Sequence, residues 1–153
     1  MFQGILILAF APLIGVRLTV VTVAALIPTM FLTASALSSV GLLVAARMRT
    51  MEGFQMIMNF LMMPMFFLSG ALFPLSNLPT WLTVLTRLNP VSYGVDAIRQ
   101  IILSQAGVPS TVLQQFGITL WGHPVTVIED LALVVVFAGV MTALAVRAFS
   151  VQD

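Results

Sequence analysis

Residues 62–79 read MMPMFFLSGALFPLSNLP, a stretch apolar enough to enter a bilayer yet interrupted by Pro64, Gly70, Pro74 and Pro79. Proline removes a helical hydrogen bond and clashes with the preceding turn, so one plain crossing helix would not carry so many breaks. Charge spacing explains them. Between Glu52 and Arg87 lie 34 uncharged residues, well beyond the roughly 20 that a single crossing needs. A second full crossing through 78–103 would bury Arg87, Asp96 and Arg99 in lipid at about 2.5–3.5 kcal/mol each. The sequence therefore predicts a helix from about Phe54 that stops near Ser69 and Gly70. Beyond it the chain turns within protein and dips or lies at the interface without crossing.

Working outward, Asn77, Pro79 and Trp81 suit the start of a short helix with the indole at headgroup level. Asn89 and Pro90 repeat the device, an N-cap followed by proline in the first turn, and open a second short helix. That helix is amphipathic. Val91, Val95, Ile98 and Ile102 fall on one face, and Ser92, Asp96 and Arg99 on the other, with Asp96 and Arg99 three residues apart. Residues 104–124, rich in Gly, Pro, Ser and Gln, read as an exposed connection.

The chain as a whole is 60% hydrophobic and 7% charged, against about 45–50% and 25% in soluble domains. So few charges would not solvate a compact domain of 153 residues, which points to an all-α, polytopic membrane protein. A net charge of +1, carried by scattered arginines, gives no electrostatic reason to expect nucleic acid as a partner. With no cysteine there is no disulfide or thiolate metal site. The opening residues lack a basic leader and a cleavage motif and read as part of a span.

One transmembrane domain over 1–153 follows, with spans at about 1–16, 18–46, 54–72 and 125–147 and a connecting region at 73–124. The first span is short. The second, 29 uncharged residues, should be tilted and kinked at Pro28. Ala34, Ser38, Gly41 and Ala45 form a small-residue stripe on it, read mainly as a packing face. Arg47, Arg49 and Glu52 make a short polar loop, and Arg147 closes the last span. The arginine distribution weakly favours Arg47, Arg49 and Arg147 as the cytoplasmic side.

Chemistry is sparse. No ionisable residue lies deep in a span, so a proton relay is disfavoured, and Glu129 and Asp130 suit the dipole of a helix N-terminus. His123 reads as a solvated loop residue. No catalytic constellation and no phosphate-binding loop is present, so the chain reads as no enzyme and binds no cofactor. The third span alone offers a surface for ligands. Gln55, Asn59, Met62 or Met63, and Phe66 share a face among further methionines, which fits either helix packing or an adaptable cavity wall.

The stretch NFLMMPMFFLSGALFPLSNLPTWLTVLTRLNPVSYGVDAIRQ, residues 59–100, resembles the signature of ABC-2 type transporter permeases, with bacterial daunorubicin-resistance-type multidrug exporters as the nearest look-alikes. The resemblance is carried by Pro64, residues 67–70, Phe73-Pro74, Asn77-Leu78-Pro79, Trp81, Asn89-Pro90, Tyr93, Asp96 and Arg99. It implies a permease of six helices per protomer in the cytoplasmic membrane, working as a dimer with two ATPase subunits that hold ATP and Mg. It also implies that the connection before the last span lies on the outer face, with re-entrant helices, and that Arg47, Arg49 and Arg147 are cytoplasmic. On this match the chain begins inside the third helix of the family, as a fragment or with another chain supplying the front half. The expected substrate path is Asn59, Met63 and Phe66. The expected gate is Gly70, Pro74, Pro79, Asn89, Pro90, Tyr93, Asp96 and Arg99. Alternatives are export of polysaccharide, lipid or ion, and a non-transporting membrane scaffold.

Overall fold

The computed structural model describes residues 2–15, 18–72, 79–105, 107–109, 117–120 and 123–150. Arg17, Phe73, Pro74, Asn77 and Leu78, which the sequence reading used, lie outside the described residues. Helices dominate. Helix α1 (Phe2–Phe10) passes into a 3-10 turn (Ala11–Ile14), followed by α2 (Val20–Ala45), α3 (Met51–Phe67), α4 (Thr80–Leu88), α5 (Pro90–Gln105) and α6 (Val127–Ser150). Two short strands, β1 (Thr119–Leu120) and β2 (His123–Pro124), pair antiparallel just before α6.

Two helices, α2 with 26 residues and α6 with 24, are long and apolar enough to cross a membrane. At ~1.5 Å per residue each exceeds the ~30 Å hydrocarbon thickness. Only 22% and 11% of their most apolar windows are buried, whereas a core helix of a soluble protein hides most of its surface. Helix α3, with 17 residues, is shorter. The expected first span is not one run of helix: Pro12 falls in the 3-10 turn, and Gly15 ends it in the left-handed region at φ 84°. Helix α2 continues through Pro28.

The packing face of α2 differs from the expected one. Thr22, Leu26, Thr29, Ala36, Ser39 and Val40 are buried, while Ser38 and Ala45 are exposed. Helices α5 and α6 both lean on this Thr/Ala side and on each other. Its hydroxyls are satisfied within the helix, Thr29 donating to Ala25 O at 2.8 Å and Thr33 to Thr29 O at 2.8 Å. They therefore behave as small, apolar-like surface that allows close approach. Gly94 of α5 uses that space: a Cβ added there would collide with the Thr33 side chain. Of the small-residue stripe, Gly41 looks toward Met58 of α3.

Local capping sets the other boundaries. Thr50 accepts from Gly53 N at 3.2 Å and starts α3 at Met51, ahead of the expected Phe54. Glu129 reaches back to Thr126, whose N donates to Glu129 Oε2 at 2.8 Å and whose hydroxyl donates to the same oxygen at 3.0 Å, and α6 starts at Val127. The connection before α6 is not wholly exposed, as expected of 104–124. Ile118 and Val125 join Ala36, Tyr93 and Val134 in the buried core, because the short hairpin folds them back over α5.

Candidate functional site

A helix leaves its last carbonyls without intrahelical donors. At the end of α3 they are met by side chains 24 to 29 residues further along. Asn89 Nδ2 donates to Met65 O at 2.7 Å, Ser92 Oγ to Leu68 O at 2.9 Å, and Arg99 Nη2 to Gly70 O. Gly70 is buried at φ 76°, a left-handed conformation in which any side chain would be strained, so the chain can turn there. Asn89 serves twice, since its Oδ1 also accepts from Val91 N at 3.1 Å and caps α5. Of the breakers in 62–79, Pro64 lies within α3 and Gly70 follows its end, where Asn89 and two side chains of α5 supply the donors.

Tyr93 is buried on the same helix and its hydroxyl donates to Arg87 O at 2.7 Å. Arg87 Nη2 donates in turn to Thr119 O at 2.8 Å, tying α4 to β1. Pro79 is the N-cap of α4 and carries no side-chain capping bond; Pro90 is the first residue of α5 and is buried. The structure therefore joins Gly70, Asn89, Pro90, Tyr93, Asp96 and Arg99 into one assembly, with Pro79 at its edge. Pro74 lies outside the described residues.

One turn further along α5 is a polar cluster that sequence reasoning missed. Asp96, 1% exposed, accepts at Oδ2 from Ile118 N at 3.0 Å and from Gln100 Nε2 at 3.2 Å. The same Gln100 nitrogen lies 3.1 Å from Asp130 Oδ2 and 3.0 Å from Val125 O. Arg99 stands 3.8 Å from Asp96 Oδ1, an ion pair beyond hydrogen-bond length. Burial pushes the Asp96 carboxyl above the usual carboxylate range, opposed by its bonds from Ile118 and Gln100 and by Arg99. The acids at the start of α6 divide: Glu129 caps the helix as expected, but Asp130 is fully buried against α5. Helical spacing was the available signal, since Ser92, Asp96 and Gln100 recur every four residues.

The expected path residues lie elsewhere. Asn59, Met63 and Phe66 are all exposed, in a row with Met56 and Phe60, and the Phe66 and Phe67 rings meet edge to face at 6.2 Å. A cleft of about 350 Å³ is lined instead by the adjoining face of α3, at Leu61, Pro64 and Leu68, with Leu88 of α4 and Phe137 and Met141 of α6. At the opposite end of α3, Arg47, Arg49 and Glu52 are exposed, and Arg49 borders an open cleft with Met48 and Phe54.

The profile of a family described as ABC-2 type transporter matches residues 1–103. Nodulation protein J of Rhizobium meliloti (strain 1021) is 36% identical over 77 residues, 50% of this chain and 29% of that protein. Nodulation protein J of Rhizobium leguminosarum bv. trifolii is 35% identical over 77 residues, again 50% and 29%. The probable multidrug ABC transporter permease YbhR of Escherichia coli (strain K12) is 35% identical over 78 residues, 51% of this chain and 21% of that one. These matches span less than a third of each relative's length. No solved structure matches.

Proposed function

Because this chain belongs to the ABC-2 type transporter family, we propose that it forms part of the membrane-spanning subunit of an ATP-binding cassette exporter for drug-like or other amphiphilic compounds. A separate ATPase subunit binds and hydrolyses ATP with Mg, and the chain itself holds no cofactor. A second permease copy completes the pathway across the cytoplasmic membrane. On this reading α2 and α6 cross fully, α3 and the α1 region supply two shorter passages, the α4–α5 region lies on the outer face, and Arg47, Arg49 and Glu52 form a cytoplasmic loop. ATP binding closes the cytoplasmic side and biases a two-state bundle, while the segment from Gly70 to Arg99 works as the outer gate.

The capped reversal at Gly70 carries this reading. Donors from Asn89, Ser92 and Arg99 to the carbonyls of Met65, Leu68 and Gly70 satisfy backbone groups at and just beyond the end of α3 inside the protein, which supports a helix that stops there. Asn59, Met63 and Phe66, exposed on α3, offer an adaptable apolar wall with one hydrogen-bonding group. The test uses the complete permease with its ATPase. Drug-stimulated ATP hydrolysis should fall in the double variant Asn59→Ala, Phe66→Ala while basal hydrolysis stays; unchanged stimulation refutes the wall. Probes at Arg87 and Gln105 should react with reagents applied outside the cell, and reaction from the cytosol alone would reverse the topology.

Relatives named for nodulation and not for drug transport favour no single cargo, and export of a polysaccharide, lipid or ion is the second reading. Transport assays with an amphiphilic dye and with a lipid-linked glycan separate the two.

A further inference from the structure

We infer that Asp96, Gln100 and Asp130 form a buried site for a single proton, shared by the two carboxylates, that fastens α5 to α6. Counting hydrogens carries the inference. Three acceptors, Asp96 Oδ2, Asp130 Oδ2 and Val125 O, surround one Gln100 amide nitrogen at 3.0 to 3.2 Å. A carboxamide nitrogen bears two hydrogens. Ile118 N also serves Asp96 Oδ2, so these hydrogens suffice for the three acceptors, whereas the Oδ1 atoms of Asp96 and Asp130 lack hydrogen-bond partners among the described residues. Both aspartates are shielded, at 1% and 0% exposure, so bulk water does not supply what is missing. Leaving a buried acceptor unmatched is costly, and two buried like charges within two hydrogen-bond lengths of each other cost more. A single added proton answers both: it neutralises one carboxylate and gives one of the two unmatched Oδ1 atoms a hydrogen of its own.

The surroundings supply too little positive charge to do this otherwise. On α5 the cluster faces Arg99, at 3.8 Å from Asp96 Oδ1, and the buried Tyr93. From α4 comes Arg87, whose carbonyl accepts from Tyr93 and whose guanidinium is turned to Thr119 O. On α6, Glu129 adds a further negative charge, and His123 of β2 is exposed. Helix α2 presents only Thr, Ser and apolar side chains, having no ionisable residue. Arg99 and Arg87 against Asp96, Asp130 and Glu129 leave one negative charge over.

When the site loses its proton to water, two carboxylates remain around one amide, and the contact between α5 and α6 weakens. The re-entrant assembly then keeps its ties to α3, through Asn89, Ser92 and Arg99, and its packing on α2. The site follows from side-chain geometry and holds whatever cargo the transporter carries.

Infrared spectroscopy of the whole chain in lipid nanodiscs tests this directly. The carbonyl band of a protonated carboxyl should be present in the wild type at neutral pH, vanish on titration to alkaline pH, and be missing at neutral pH in Asp130→Asn. In parallel, the wild-type thermal midpoint should fall by several degrees between about pH 5 and pH 8, because the folded state keeps a proton that the unfolded chain releases. In Asp130→Asn that dependence should flatten. If Asp130→Asn does not fold, Asp96→Asn serves the same purpose and the wild-type band still decides. Absence of the band in the wild type at neutral pH overturns the proposal. So does a pH dependence of the variant equal to that of the wild type, or stabilisation by sodium in place of protons.

Discussion

Helices α3 and α5 have nearly the same length, 17 and 16 residues, yet they place their side chains in opposite ways. Helix α5 turns Ser92, Asp96 and Gly94 inward and leaves Val91, Val95, Ile98 and Ile102 half-buried, while α3 buries none of its residues and exposes Met56, Phe60, Met63 and Phe66. In water this would be inverted. In lipid, apolar side chains gain nothing by leaving the surface, whereas polar groups must find partners inside the protein. The difference shows that cohesion here resides in hydrogen bonds and close contacts around α5, and that α3 is tied in chiefly through its C-terminal carbonyls.

Substitutions should break that contrast in a definite order. Gln100→Leu removes the amide shared by Asp96, Asp130 and Val125 and strands two buried carboxylates. It should lower unfolding stability by about 3 kcal/mol, read by titrating bilayer-mimetic micelles with a denaturing detergent. Gly94→Ala pushes a methyl against Thr33, whose Cβ would lie at 2.9 Å, and should cost about 1–3 kcal/mol by forcing α5 from α2. The combined variant Gly94→Ala, Thr33→Ser should recover part of that loss if the contact is its cause. Asn89→Ala deletes both the cap of α5 and the donor to Met65 O, for about 1–2 kcal/mol. Amide exchange should then rise at the start of α5. Met63→Ala on the exposed face of α3 should change stability by less than about 0.5 kcal/mol, and a larger loss would show that this face packs within the single chain.

How much of this was legible in the sequence can be seen from particular residues. The end of α3 just before Gly70 followed from arithmetic on charge spacing, because lipid penalises Arg87, Asp96 and Arg99 regardless of fold. The cap of α5 was legible for the same local reason, Asn89 and Pro90 being read within one turn. The buried cluster was not. Glu129 and Asp130 are neighbours in the chain and chemically alike, and only the 100° between successive helical residues sends one to the cap and the other against α5. The packing face of α2 was missed because two small-residue stripes run along that helix. Either stripe would satisfy the rule of close approach, and the choice depends on where α5 and α6 arrive.

By itself, then, the amino-acid sequence determined the helical membrane character, the place where α3 must stop and the helix starts marked by Asn89-Pro90. These depend on the transfer of charges and of backbone groups between water and lipid, which is set residue by residue. Only the tertiary structure decided that Gln100 spans Asp96 and Asp130, that Asn89, Ser92 and Arg99 close the carbonyls of α3, and that Asn59, Met63 and Phe66 face away from the cleft. Those depend on groups 24 to 30 residues apart meeting at hydrogen-bond distance. Directional contacts of a few ångströms arise from how helices cross, which no local pattern encodes.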